Sequence, residues 1–428
     1  MNYLRIRVPF ARPLLACCLL ALLVVPVGAQ VRRESSDVRL VAPKIDDADR
    51  KAFQALHDGK QAVDEAGKKV LEKEARWLVY RLTYEEYQFK KLLDSPSDSI
   101  TMKTLVDDAF KHIPVPEPSG KKPLKPEQQA FIREFAKPLI AAIKEVLDRH
   151  VPIAQVNAGI ILARLGETGV EEVADAMCEV IEDKEQKYED YVKLYALMGL
   201  KNVFKGEGIK DEKRLTTCIK DLVAFLSRKP SFDPNKTPVE EIEAFRYIRR
   251  EAVRALGQSH VPALGRPKTP EVRPALDVLK FMRNEGVAPD PSLSEKVEAA
   301  IALCQMRNKL GDSYKYQPDY AAKYVAHLIV EFASEYDARR GQTSGVDWKN
   351  TALRLADALA TLVADSGEKS KYMTTLTGKC TGILNSIQAG NRANQVGLDD
   401  WLKSTNIDAK ELFKGMTDSA VKTETAEK

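Results

Sequence analysis

One helical signature recurs at uneven intervals, and it constrains the fold of this chain more than any other feature. Glu251-Ala-Val-Arg-Ala-Leu-Gly257 and Glu298-Ala-Ala-Ile-Ala-Leu-Cys304 share glutamate, two alanines and leucine at the same offsets, 47 residues apart. Tyr195-Ala-Leu-Met-Gly-Leu-Lys201 puts Ala196, Gly199 and Leu200 in the corresponding places, and residues 161–166 and 352–360 are looser relatives. Small side chains at these offsets let one helix approach another closely, which stacked helix pairs require. Each such helix is followed by a plainer apolar stripe at i, i+3, i+4, i+7 spacing. Leu215, Cys218, Ile219, Leu222 and Leu226 form one stripe, and Val272, Ala275, Leu276, Leu279 and Met282 another.

The punctuation between stripes is helical too. Thr168-x-x-Glu171, Thr237-Pro-x-Glu240 and Ser292-x-x-Glu295 read as capping boxes, and Thr269-Pro270-Glu271 as a fourth helix start. Proline-bearing stretches at 230–238, 262–270 and 289–291 read as loops, and no window alternates in the manner of a strand, so essentially no sheet is expected.

A recurrent two-helix unit of about 35 to 56 residues, best seen around 249–257, resembles the HEAT and armadillo class of repeats, whose units run about 40 to 47 residues. The resemblance covers residues 126–364. It implies an all-α chain, an irregular α-solenoid of stacked helix pairs, preceded by a separate helical region at 45–112. It also implies protein partners and not a reaction. Between the two parts, residues 113–125 are proline-rich and read as a linker, because proline denies the backbone its helical donors. Residues 365–416 continue helical, with segments at 368–388 and 408–416 expected to cap the array. The tail 417–428 offers almost nothing to bury and is expected to be disordered.

The amino-terminal 29 residues read as a cleavable signal peptide. Arg5, Arg7 and Arg12 precede an apolar run, and Val27-Gly28-Ala29 supplies the small residues of a cleavage site. Lipid attachment at Cys17 is disfavoured, because most of the apolar run lies after it. Residues 30–44 then form a polar tether. Export to the periplasm, envelope or medium is the expectation, with no transmembrane span in the mature chain. The 66 basic residues, less the three arginines of the leader, balance 62 acidic ones to within about one charge. The two signs alternate, so nothing favours a nucleic-acid partner.

The search for chemistry yields no catalytic, cofactor-binding or metal-binding constellation, and no cofactor is expected. His57, His112, His150, His260 and His327 are scattered, and only a fold that brings two of them beside a carboxylate would build a site. Asp46-Asp47-Ala-Asp49 lacks the glycine and distal glutamate of a calcium loop and reads as a helix start. Asp347-Trp348 and Asp400-Trp401 each read as the opening of a helix.

Two candidate sites remain. Trp77, Tyr80, Tyr84 and Tyr87 fall at helical spacing within 60–93, so they either pack on a neighbouring helix or form a partner-binding aromatic face. Cys178 and Cys218 lie on the apolar faces of second helices in successive units, and stacking that brought them close would make them a candidate disulfide pair, with buried free thiols as the favoured reading. The functional expectation is an exported helical-repeat scaffold that binds an envelope or extracellular protein. The alternative is a helical-toroid carbohydrate-active enzyme, a glycosidase or lyase. The oligomeric state is not indicated.

Overall fold

The computed structural model describes residues 39–87, 100–116, 124–149, 151–206, 208–267, 269–306, 314–342, 346–365, 371–405, 407 and 410–414. The expected leader 1–29, the first part of the tether, His150, most of the proline-rich linker and the tail 417–428 lie outside these residues.

Fifteen α-helices make up the described chain. They are α1 (Asp47–His57), α2 (Glu65–Tyr80), α3 (Met102–His112), α4 (Pro126–Leu147), α5 (Pro152–Leu165), α6 (Val173–Glu182), α7 (Asp190–Lys205) and α8 (Glu212–Leu226). There follow α9 (Val239–Ser259), α10 (Pro274–Met282), α11 (Leu293–Gln305), α12 (Pro318–Arg339), α13 (Trp348–Asp365), α14 (Lys371–Gln388) and α15 (Val396–Ser404). Their starts are chemically marked. Asp46 caps α1 in a reciprocal box with Asp49, Asp64 caps α2, Thr101 caps α3 and Asp211 caps α8.

The helices pack in an alternating order. Among the odd-numbered ones, α5 lies on α7, α7 on α9, α9 on α11 and α11 on α13; among the even-numbered ones, α4 touches α6, α6 packs on α8, and α12 on α14. Cross-contacts join α4 to α5, α6 to α7, α8 to α9, α10 to α11 and α13 to α14. The small-residue segments of the sequence all fall in the odd row and the plain stripes in the even row, because the odd helices have neighbours on more sides. Glycines mark the tightest crossings: a methyl group on Gly166 would collide with the Gly199 backbone, and one on Gly257 would lie 2.8 Å from Ala302 Cα.

Several sequence expectations need correction. Thr168 sits in a 3-10 turn and its hydroxyl donates to the Leu165 carbonyl, so α6 starts later, at Val173, without a side-chain cap. The Thr237 hydroxyl donates to the Asp233 carbonyl instead of capping α9. Ser292 and Glu295 do form the capping box of α11. Thr269–Val272 is not a helix start but a strand, β2, paired antiparallel with β1 (Leu264–Arg266), so Val272 does not belong to the α10 stripe. Gly265 at φ 96° bends this short hairpin, a conformation that glycine adopts without a Cβ penalty.

At the carboxyl end, residues 410–414 are not helical. Phe413 bridges antiparallel to Tyr316, with the Gln317 amide donating to the Leu412 carbonyl and the Lys414 amide to the Lys315 carbonyl. Trp401 lies within α15 and does not open it, whereas Trp348 does open α13, with Asp347 accepting from the Asn350 amide. The end of the expected tether is pinned: Leu40 is buried, and the Leu40 and Ala42 amides donate to the Thr83 and Tyr84 hydroxyls. Ile113, the first residue of the expected linker, is buried in the core.

Candidate functional site: a charged cleft across four helices

Where α7, α9, α11 and α13 stand side by side, a ladder of ion pairs crosses all four. Lys201 of α7 donates to Glu251 of α9 at 2.7 Å. Arg254, one turn further along α9, pairs with Glu251 and also reaches Glu298 of α11 at 2.6 Å. Arg354 of α13 then grips Glu298 with both terminal nitrogens, at 2.8 and 2.6 Å. Two parallel N–H···O contacts of this kind fix the planes of both groups.

The two carboxylates are the leading residues of the two best-matched sequence segments, and the shared glutamate of that signature ties its helix to the neighbouring ones, α9 to α7 through Glu251 and α11 to α9 and α13 through Glu298. Glu251 is 2% and Glu298 5% exposed, while the cations above them remain partly open to solvent. Burial works to raise the Glu251 carboxyl, but Arg254 and Lys201 outweigh it and hold the group below the usual carboxylate range. Burial opposes ionisation at Glu298 as well, yet hydrogen bonds from Arg254 and Arg354 take it down to about 2.

A cleft of about 200 Å³ opens over this ladder. Lys205, Gln258 and Gln305 complete its polar rim, and Ile301 and Ala302 form its apolar part. Lys205 is exposed and has no ion-pair partner among the described residues, and the Nε of Arg254 is buried without a hydrogen-bond partner. Four cations, Lys201, Lys205, Arg254 and Arg354, thus surround two carboxylates, which leaves two positive charges in excess in a chain whose charges otherwise nearly cancel.

General acid catalysis needs a carboxyl that keeps its proton near neutrality, and neither glutamate here does. The carboxyls that burial pushes up, Glu74, Asp221, Asp277 and Glu295, lie on four different helices, α2, α8, α10 and α11. No group of three or more histidine, cysteine or acidic side chains is placed to hold a metal ion among the described residues.

The aromatic candidates do not form one exposed ridge. The helix ends at Tyr80 and gives way to 3-10 turns at Arg81–Thr83 and Glu85–Tyr87, so the four rings part. Trp77 is half-buried beneath the Arg81 guanidinium, 3.5 Å from the ring centre. Tyr80 is buried and donates to Glu145 at 2.6 Å. Tyr84 and Tyr87 stack on each other at 5.8 Å, with Arg39 over Tyr84.

Cys178 and Cys218, on α6 and α8, are brought together as buried free thiols with their sulfurs 2.8 Å apart. Two histidines approach different carboxylates: His112 Nε2 lies 3.8 Å from Glu74 and His57 Nδ1 3.3 Å from Asp58, with the Phe53 ring between 5.0 and 6.3 Å from the two imidazoles. His260 ends α9 in the left-handed region with its Nδ1 2.7 Å from the Gln305 carbonyl, and His327 lies on α12.

The charged ladder escaped sequence reasoning because its pairs between helices join residues 44 to 56 positions apart. The available signal was a glutamate at the same offset in two helices whose other shared positions are apolar.

An engineered protein of known crystal structure aligns with 86% of this chain and 94% of its own at 14% identity, with a TM-score of 0.26. No protein family and no curated protein matches the chain.

Proposed function

We propose that this chain is an exported scaffold, an irregular α-solenoid in the manner of HEAT and armadillo repeats, that binds a segment of an envelope or extracellular protein and performs no chemistry of its own. Export rests on the features of residues 1–29. The solenoid reading rests on the stepwise packing of α5, α7, α9, α11 and α13, with α14 and α15 closing the far end. The observation that carries the binding role is the cleft across α7, α9, α11 and α13, where an excess of positive charge meets an open groove.

A carbohydrate-active toroid fits less well. Sugar subsites need aromatic faces, and no aromatic side chain lines the cleft. Among the described residues, no substantial contact joins α1–α4 to α12–α15, as ring closure would require.

The test is to immobilise the chain without residues 1–29, expose it to envelope and culture-medium fractions, and identify retained proteins by mass spectrometry, alongside turnover assays on a polysaccharide panel. Specific retention with no turnover is expected. Turnover of any polysaccharide with nothing retained would reverse the assignment.

A further inference from the structure

We infer that the cleft across α7, α9, α11 and α13 takes an acidic peptide segment, two or three residues carrying carboxylates, inserted over the Glu251–Arg254–Glu298 ladder. The inference rests on the scaffold reading above and adds the chemistry of the partner. Its first ground is charge. Glu251 and Glu298 already share three cations between them, so another cation would find no free acceptor there, whereas an anion would meet an excess of two positive charges.

The second ground is unused donors. Arg354 spends two of its guanidinium N–H groups on Glu298, and Lys205 has no ion-pair partner among the described residues. These two cations sit on different helices, α13 and α7, at one opening, which suits a carboxylate on a flexible stem. The third ground is the rest of the rim. The side-chain amides of Gln258 and Gln305 offer both a donor and an acceptor, which matches a peptide backbone, and Ile301 with Ala302 accommodates aliphatic carbons. A cleft of about 200 Å³ admits side chains and not a folded domain. Without an aromatic wall there is nothing for a sugar ring or a base to stack on.

The experiment uses the full chain lacking residues 1–29 and fluorescein-labelled octaglutamate and octalysine in separate titrations, read by fluorescence anisotropy at low and physiological salt, with polygalacturonate as competitor. Octaglutamate binds and weakens with salt, and octalysine does not bind. Lys205→Glu weakens binding about tenfold or more. Lys213→Glu, an equal change of net charge at an exposed position on α8, changes it less than about twofold. Lys205 is exposed and has no ion-pair partner among the described residues, so its variant keeps the fold, checked by circular dichroism. No binding of octaglutamate, equal loss in both variants, or tighter binding of polygalacturonate each overturns the inference. A captured protein partner indifferent to Lys205→Glu removes the acidic-segment inference and leaves the scaffold standing. No captured partner removes the scaffold reading itself.

An independent observation concerns Cys178 and Cys218. Their sulfurs, 2.8 Å apart on adjacent helices α6 and α8, need under about 1 Å of movement to reach bonding distance. We propose that they become a disulfide while the exported chain folds, before burial hides them. A small or protein disulfide donor supplies the oxidant. One thiolate attacks a donor sulfur and releases a donor thiol; the other thiolate then attacks the resulting mixed disulfide and releases the second donor thiol, so two electrons and two protons end on the donor. A pair that reached the finished fold still reduced would stay so, because the hydrogen bond to Cys218 and burial raise the Cys178 thiol and slow exchange.

Alkylation of the exported chain in denaturant without reductant, followed by peptide mapping, decides this. The expected map shows Cys178 and Cys218 joined and Cys304 and Cys380 alkylated. Alkylation at all four positions overturns the proposal, and Cys218→Ser exposes Cys178 to the reagent as the positive control.

Discussion

Arg249 of α9 and Glu295 of α11 form an ion pair in which neither side chain is exposed, with Nε 2.8 Å from Oε1. The other guanidinium nitrogens donate to the Pro289 and Ala288 carbonyls, and the second oxygen of Glu295 accepts from the Ser292 amide and hydroxyl. One glutamate therefore starts α11 and fastens it to α9. Burial pushes the Arg249 guanidinium down and the Glu295 carboxyl up, so each charge is kept mainly by the other. Arg249→Ala should cost about 3–5 kcal/mol, because it strands a buried carboxylate. The pair Arg249→Met with Glu295→Gln, which keeps a capping side chain, should recover at least half of that in urea denaturation. A double variant no more stable than the single one would show that the charge itself is needed.

Close approach of the odd helices gives a second expectation. Helix propensity alone says that glycine to alanine inside a helix gains up to about 1 kcal/mol. At Gly257 the added methyl would lie 2.8 Å from Ala302 Cα and 2.6 Å from Gln305 Oε1, so backbone must move. Gly257→Ala should therefore destabilise by about 1–3 kcal/mol. Gly378, on the exposed side of α14 with nothing within 4 Å of such a methyl, should show the opposite sign, a gain of about 0.5–1 kcal/mol. Thermal melts of both variants check the pair, and a gain at Gly257 would mean that the α9–α11 crossing takes up a methyl group without cost.

Glu298 should make the helix row acid-sensitive. Its carboxyl titrates at about 2 in the fold against an ordinary 4.5, since Arg254 and Arg354 overcome its burial. A depressed acid stabilises the fold above the unfolded value and loses that contribution as pH falls from about 4.5 toward 2, up to about 3 kcal/mol in all. Glu298→Gln should be clearly destabilised at pH 7 and nearly level with the parent close to pH 2. A difference that does not change with pH would place the effect in packing instead.

What the sequence made legible follows from range. The stripes of α6, α8 and α12 and the small-residue faces of α7, α9 and α11 are local periodicities, and they fell where periodicity puts them. Ser292 and Glu295, three apart, also read correctly as a cap, but the partnership of Glu295 with Arg249 spans 46 residues and left no local trace. Thr168 and Thr237 have the right spacing for caps, yet each hydroxyl turns back to a carbonyl three or four residues earlier, a competing local bond that spacing does not reveal. Thr269-Pro270-Glu271 has the composition of a helix start and instead pairs as a strand, because β1 lies opposite. Trp77, Tyr80, Tyr84 and Tyr87 share one face only if the helix continues, and it stops at Tyr80.

Glu74 of α2 carries the opposite pH dependence. It is 4% exposed, its Oε2 has no hydrogen-bond partner, and its Oε1 lies 3.8 Å from His112 Nε2. Burial pushes this carboxyl up to about 7, with Arg50 and Arg81 only partly opposing it. His112 gives little relief, since burial lowers its own proton affinity. An acid raised in the fold holds its proton while the unfolded chain gives it up, so stability is greatest below the unfolded value of 4.5, declines as pH rises toward 7, and is level beyond. Glu74→Gln keeps the shape and removes the titration. It should match the parent near pH 4 and exceed it by about 1–3 kcal/mol at pH 8, measured as urea midpoints at pH 4, 6 and 8. Comparison with the parent at each pH separates this effect from that of Glu298, which acts at lower pH and in the other direction. An unchanged gap between the two proteins from pH 4 to pH 8 would mean that Glu74 ionises in the fold as readily as in the unfolded chain.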